Sequence, residues 1–136
     1  MTVALGASAV NQNPSLTAAT SEVTLITLTG DSTASINSND QTNQNCKGIT
    51  VFINVAAITG TLTVTLQGKD PFSNQYYTIL ASAALLATGP VQMTVYPALT
   101  AVTNLAGNSF LPSRWRVTTA IVTGPVTATI GAVLIP

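Results

Sequence analysis

The chain has 136 residues with four basic and four acidic side chains, no histidine and a net charge of zero. Charged residues make up 6% of it, against roughly a quarter in an ordinary soluble domain. This composition argues against a basic nucleic-acid-binding surface, and it removes most groups that serve as acids, bases and metal ligands in enzymes. We therefore expect a non-enzymatic protein, without cofactor, metal or small-molecule substrate, that packs against other proteins.

The length fits one domain with a real core. No apolar run reaches the ~18–20 residues of a membrane span, and the first residues lack the positive charge and long apolar stretch of a signal peptide. We expect synthesis in the cytoplasm and no membrane partner. Cys46 is the only cysteine, so a disulfide within the chain is impossible, and we expect its side chain to be buried.

In chain order, residues 1–21 are small and uncharged and predict an extended N-terminal arm, followed by a β-sandwich domain over residues 22–136. Residues 22–29 predict the first strand, which Gly30 and Asp31 end. Residues 32–45 form a polar run and predict a long loop. Long loops in compact domains are commonly functional, so we expect contacts with partners there and in the arm.

Alternation of apolar and polar residues predicts the later strands, at residues 49–56, 62–67, 76–80, 91–96, 115–122 and 126–135. The two strands around Gly60 predict one hairpin, and the two around Gly124 predict another. Residues 97–113 predict a connection with one helical turn near 99–105, a third expected contact region. Seven strands, or eight if residues 2–9 pair, predict an all-β, antiparallel β-sandwich or jelly roll.

One internal similarity is visible. Residues 58–66, ITGTLTVTL, resemble residues 122–130, VTGPVTATI. Each segment is a turn followed by alternating apolar and mostly threonine positions. Duplication of one segment and independent use of the same turn chemistry both explain it.

The four acidic residues are dispersed and follow no catalytic or calcium-loop spacing. Asp31 is expected to cap its own turn, and Asp40 to lie in a solvated turn. The other two are Glu22 and Asp70.

Trp115 lies between Arg114 and Arg116, so strand alternation places both arginines on the face opposite the indole. We expect Trp115 in the core. The arginines are expected to pair either with an internal carboxylate such as Asp70 or with a neighbouring subunit.

Three further aromatic residues are candidates for contacts. Tyr76 and Tyr77 are adjacent in one strand, so they face opposite sides of it. Phe52 breaks the polar face of its strand, so either a second layer covers it or it anchors an interface. Tyr76, Tyr77 and Trp115 together would form a carbohydrate-binding platform if all three were exposed.

The segments 48–55 (GITVFINV), 62–77 (LTVTLQGKDPFSNQYY), 95–99 (VYPAL) and 111–117 (LPSRWRV) resemble small β-sandwich virion proteins of tailed bacteriophages. The likeness covers residues 46–135. Among these virion proteins, the chain is most similar to capsid decoration (cement) proteins. This likeness implies a homotrimer, made in the host cytoplasm, that binds the major capsid protein on the outer head surface and stabilises the shell. The alternatives are a head-fibre, neck or tail component of the virion, or a carbohydrate-binding or adhesion module.

The candidate interface residues combine side chains of the arm, apolar side chains and the two arginines. They are Val3, Leu5, Asn11, Asn13, Leu16, Phe52, Tyr77, Leu99, Leu105, Arg114 and Arg116.

Overall fold

Ten strands form two sheets in the part of the chain that the computed structural model describes, residues 22–136. The predicted arm, with its five candidate interface residues, lies outside this range. The strands are β1 (Glu22–Asp31), β2 (Ser35–Asn37), β3 (Gln41–Thr42), β4 (Gly48–Ile58), β5 (Thr61–Lys69), β6 (Tyr76–Ala81), β7 (Gly89–Val95), β8 (Ala106–Gly107), β9 (Arg114–Val122) and β10 (Val126–Ile135).

The first sheet, sheet A, has the order β1-β10-β4-β7-β8. The second, sheet B, has the order β2-β9-β5-β6, and β3 also pairs with β9. All pairs are antiparallel except the short contact between β7 and β8. The all-β, sandwich-like prediction is therefore confirmed, with ten strands rather than seven or eight.

The core lies between the inward faces of the two sheets. Strand β5 alternates strictly between half-buried and buried positions, and β9 and β10 follow the same period. Burying a large aliphatic side chain contributes about 1.5–3 kcal/mol, so the inward positions of these strands stabilise the contact between the sheets. Trp115 is 1% exposed and Cys46 is buried, as predicted.

The two predicted hairpins are wrong. Strand β4 belongs to sheet A and β5 to sheet B, so the turn at Gly60 crosses between the sheets instead of joining paired strands. The turn at Gly124 likewise carries the chain from β9 in sheet B to β10 in sheet A. We call these two connections, with their flanking strands, the first and second arch. A period of two places side chains on faces but does not select the pairing partner.

The two arches pair with each other. Strand β4 pairs with β10, and β5 pairs with β9, both antiparallel. At the turns, Ile58 lies opposite Val126 and Thr61 opposite Val122, and the Thr59 amide donates to the Pro125 carbonyl at 3.0 Å. The two similar sequence segments therefore occupy equivalent, antiparallel positions in the fold.

The two predicted loops inside the described range also differ from expectation. The polar run at 32–45 contains β2 and β3, both paired with β9. The connection at 97–113 contains β8 and no helical turn. Residues 102–106 form a hydrogen-bonded turn instead, in which the Val102 carbonyl accepts from the Leu105 and Ala106 amides at 3.0 and 2.9 Å. Asn104, inside the predicted helical turn, has a positive φ of 65°, which an α-helix does not accommodate.

Candidate functional site

The outer surfaces of the two sheets differ in charge. On sheet B, the outward positions include Lys69, Arg114 and Arg116, with Asp40 of the β2–β3 connection beside them. We call this the charged face. On sheet A, twelve outward residues form three rows across β1, β10, β4 and β7, and Glu22 at one corner is the only charged residue among them.

We call this second surface the neutral face. Its rows are Glu22–Val133–Thr50–Thr94, Thr24–Gly131–Phe52–Gln92 and Thr27–Thr129–Asn54–Pro90.

The charged face is organised around Asp40. One carboxylate oxygen of Asp40 accepts from Lys69 Nζ at 2.8 Å, and the other accepts from the Tyr76 hydroxyl at 2.7 Å. The Arg116 guanidinium lies 3.5 Å from the centroid of the Tyr76 ring, and its Nε donates to Gln67 Oε1 at 2.8 Å. These five residues, the Asp40 cluster, link the β2–β3 connection to β5, β6 and β9.

Of the two alternatives for the arginines, pairing with Asp70 is not found, and pairing with a neighbouring subunit stays a prediction. Both carboxylate oxygens of Asp70 cap its own turn, accepting from the Phe72 amide at 2.9 Å and the Ser73 hydroxyl at 2.7 Å. Arg116 instead contacts Tyr76, and Arg114 is exposed. Asp70 is thus engaged by donors of its own turn, and Arg116 is engaged by Tyr76 and Gln67.

Glu22 begins β1, and the other three acidic side chains accept hydrogen bonds in local turns or in the Asp40 cluster. Asp31 Oδ1 accepts from the Thr33 amide at 3.0 Å, which confirms the predicted cap. Asp40 is held by Lys69 and Tyr76. Within residues 22–136, no group of three or more acidic, cysteine or histidine side chains is placed to hold a metal ion.

Acid should weaken the fold through Asp40. The hydrogen bond from Lys69, followed by that from Tyr76, holds the pKa of Asp40 below its ordinary value. A lowered folded-state pKa adds stability that is fully present above the ordinary pKa of the carboxyl and is lost as the pH falls through the folded-state value. We therefore expect D40N to lower the unfolding free energy modestly at neutral pH and to differ least from the parent protein in strong acid.

Urea unfolding at a series of pH values tests this expectation. D70N is the matched control for the contribution of the ion pair. The pKa of Asp70 is also lowered, but by Ser73 and Phe72 of its own turn and not by Lys69. Added salt should shrink the D40N effect, since it screens the exposed ion pair. A D40N effect that stays constant from neutral pH to strong acid would contradict the assigned role.

The three rings considered for carbohydrate stacking do not share one surface. Trp115 is buried, and Arg116 covers one side of the Tyr76 ring. Tyr77 is 48% exposed at the edge strand β6, where its ring lies over the backbone of Gly68. These residues therefore cannot act as a joint stacking platform.

Phe52 is the most distinctive residue of the neutral face. Its side chain is 45% exposed on the central strand of sheet A, and no residue in the range 22–136 forms a second layer over it. A shallow depression of about 350 Å³ lies on one side of the ring and another of about 250 Å³ on the other. The first is lined by Glu22, Val23, Thr24, Phe52, Gly131, Ala132 and Val133, and the second by Phe52, Pro90, Val91 and Gln92.

Comparisons with family models, curated proteins and solved structures found no match. In residues 22–136, no helix is long and apolar enough to cross a membrane.

The described candidate interface residues do not form one patch. Phe52 lies on the neutral face, and the two arginines lie on the charged face. Leu99 is half-buried and Leu105 is 51% exposed, both in the connection from β7 to β8. Their proposed roles in contacts stay predictions.

Sequence reasoning missed several exposed apolar residues in the turns. Phe72 is 95% exposed, Leu86 69% and Phe110 68%. No periodic signal marks them, because each lies outside a strand. It also missed the partners of Phe52 in its row, Gly131 and Gln92, because both come from distant strands.

Proposed function

We propose that this protein is a non-enzymatic structural protein of a bacteriophage virion, a capsid decoration protein that binds the outer head surface and stabilises the shell. The neutral face is the observation that carries the proposal. Eleven of its twelve residues are uncharged, so many copies can crowd together without mutual repulsion. The resemblance of residues 46–135 to small β-sandwich virion proteins supplies the setting.

In this proposal, a sandwich of jelly-roll type supplies a rigid body, and residues 1–21 form the arm that contacts the major capsid protein. The arm joins the sandwich at Glu22, at one corner of the neutral face. Oligomerisation, as the implied homotrimer, would link several arms in one particle-bound unit. Linked weak contacts then bind much more tightly than one contact alone, and binding to the assembled shell stabilises it by mass action.

Purified heads that lack this protein provide the test. The full chain is expected to bind their outer surface at fixed sites and to slow the release of DNA on heating. Sedimentation with heads gives the occupancy, and electron microscopy of the particles gives the location. Failure of the full chain to bind heads, or density found on the tail alone, would overturn the proposal.

A variant without residues 1–21 tests the arm. It should lose head binding while its far-ultraviolet circular dichroism and thermal transition still show a folded sandwich. A full-length variant with a Gly/Ser segment of the same length in place of the arm is the control for chain length, and it should also fail to bind. Unchanged occupancy with either variant would show that the arm does not carry the contact.

A further inference from the structure

We propose that the neutral face pairs with the same face of a second copy of this chain, across a two-fold axis. This inference does not depend on the capsid role, because it concerns the purified protein in solution. It is based on the shape of the face, on where the charges lie and on what each possible contact would desolvate.

The shape of the face fits a copy of itself. The Phe52 ring projects from the central strand, and depressions of about 350 and 250 Å³ lie on either side of it. Within its row, Phe52 has Gly131 on one side and Gln92 on the other, so no bulky neighbour fills the larger depression. A two-fold axis passing between the ring and that depression places each Phe52 in the depression of the other copy.

Both depressions are shallow. Small-molecule sites have volumes of about 300–1,000 Å³, so one depression lies near the lower end of that range and the other below it. A single aromatic side chain is an occupant of suitable size and chemistry. Two facing sheets normally pack about 10 Å apart with interdigitated side chains. The projecting ring and the adjacent depressions match that arrangement.

Charge selects this face over the opposite one. Packing two neutral faces together brings one ion per copy near the contact, the exposed Glu22 at the rim of the larger depression. Packing two charged faces would desolvate Lys69, Asp40 and Arg116, at a cost of several kcal/mol per ion before any compensation. Apart from Glu22, the face offers no counter-ion to a strongly charged partner, and a second copy brings no charge that would need one.

The size of the face sets the strength of the contact. Four strands at about 4.8 Å and five residues at about 3.3 Å give a patch of roughly 19 by 17 Å. Its area of about 320 Å² is well below the roughly 800 Å² that each partner buries in a standard interface. We therefore expect a weak, concentration-dependent pair that forms between micromolar and near-millimolar protein, and that is favoured where copies are held close together.

Sedimentation equilibrium on matched variants tests the inference. Q92E places one charge in the middle row of the neutral face, beside Phe52, and it should weaken self-association about tenfold or more, because a two-fold contact brings one such charge from each copy. Q67E makes the same change on the charged face, where the new carboxylate still accepts from Arg116, and it should leave association unchanged. Likewise, F52A should weaken association while F72A, at a 95% exposed turn residue, should not.

The stoichiometry and the contact itself give further outcomes. A two-fold contact requires an even number of copies, so a dimer, or a hexamer built from the implied trimers, supports the inference. A monomer at all concentrations, a trimer alone, or equal effects of Q92E and Q67E would overturn it. With p-benzoylphenylalanine at position 52, ultraviolet light should cross-link two copies near Thr24 or Val133. Cross-links to residues 1–21 of the same chain would overturn the inference.

Discussion

Replacing Trp115 with alanine is expected to lower the free energy of unfolding by about 3–5 kcal/mol, the usual cost of truncating a buried aromatic side chain. The indole is 1% exposed and lies between the sheets, opposite Gly68 on β5 and Gln41 on β3. Small domains have a total stability of about 5–15 kcal/mol, so this one change removes a large part of it. Chemical denaturation followed by far-ultraviolet circular dichroism measures the loss.

Two companion variants sharpen this prediction. W115F should cost less than W115A, because it keeps most of the apolar volume and the indole Nε1 has no hydrogen-bond partner within residues 22–136 to lose. F72A removes an aromatic side chain that is 95% exposed, and its effect should stay within about 0.5 kcal/mol. A W115A loss as small as that of F72A would contradict the assigned core position.

The second large effect is expected at Gly60, in the turn of the first arch. Gly60 has φ +82°, and a Cβ there would collide with the carbonyl oxygens of Val122 and Thr123 in the second arch. A left-handed conformation costs a residue with a Cβ about 1–2 kcal/mol, and forced overpacking adds about 1–3 kcal/mol. We therefore expect G60A to lower the unfolding free energy by about 2–5 kcal/mol.

Gly30 is the matched control for this prediction. Its φ is also positive, at +56°, but a Cβ there would meet no atom within 4 Å. G30A should therefore pay only the conformational cost of about 1–2 kcal/mol. Equal losses for G60A and G30A in the same denaturation assay would show that the close approach of the two arches does not matter.

The strands were the part of the fold most accessible from the sequence. Alternation over residues 49–56 and 115–122 located β4 and β9 to within two residues at each end, because burial on one face imposes a period of two. The pairing partners were not accessible. Strand β4 pairs with β7 and β10 rather than with β5, and its own residue pattern is the same in either case.

Polar residues were predicted least well. Asn43 looks like any other residue of its polar run, yet it is buried. Its Nδ2 donates to the carbonyls of Cys46 at 2.7 Å and Leu111 at 3.0 Å, and its Oδ1 accepts from the Cys46 amide at 3.0 Å. One of these partners lies 68 residues away, so no local pattern marks it.

Of the two candidate sites, one has a local signal in the sequence and the other does not. Phe52 was recognisable because an aromatic residue interrupts a polar face within one strand, and its exposure agrees with that anomaly. The Asp40 cluster was not recognisable, since Asp40 is 29 residues from Lys69 and 36 from Tyr76. Only the folded sheets bring these groups together.

The pairing of the two arches also has a consequence for how the chain reaches its native state. One partner of β4, strand β10, and one partner of β5, strand β9, lie at the C-terminal end of the chain, so neither arch can complete its hydrogen bonds until the last strands have been synthesised. Such non-local topologies have high contact order and typically fold in milliseconds to seconds rather than microseconds. Until β9 and β10 have left the ribosome and paired, the chain exposes one unpaired edge of β4 and one of β5. Unpaired strand edges of this kind are sites at which nascent chains can associate.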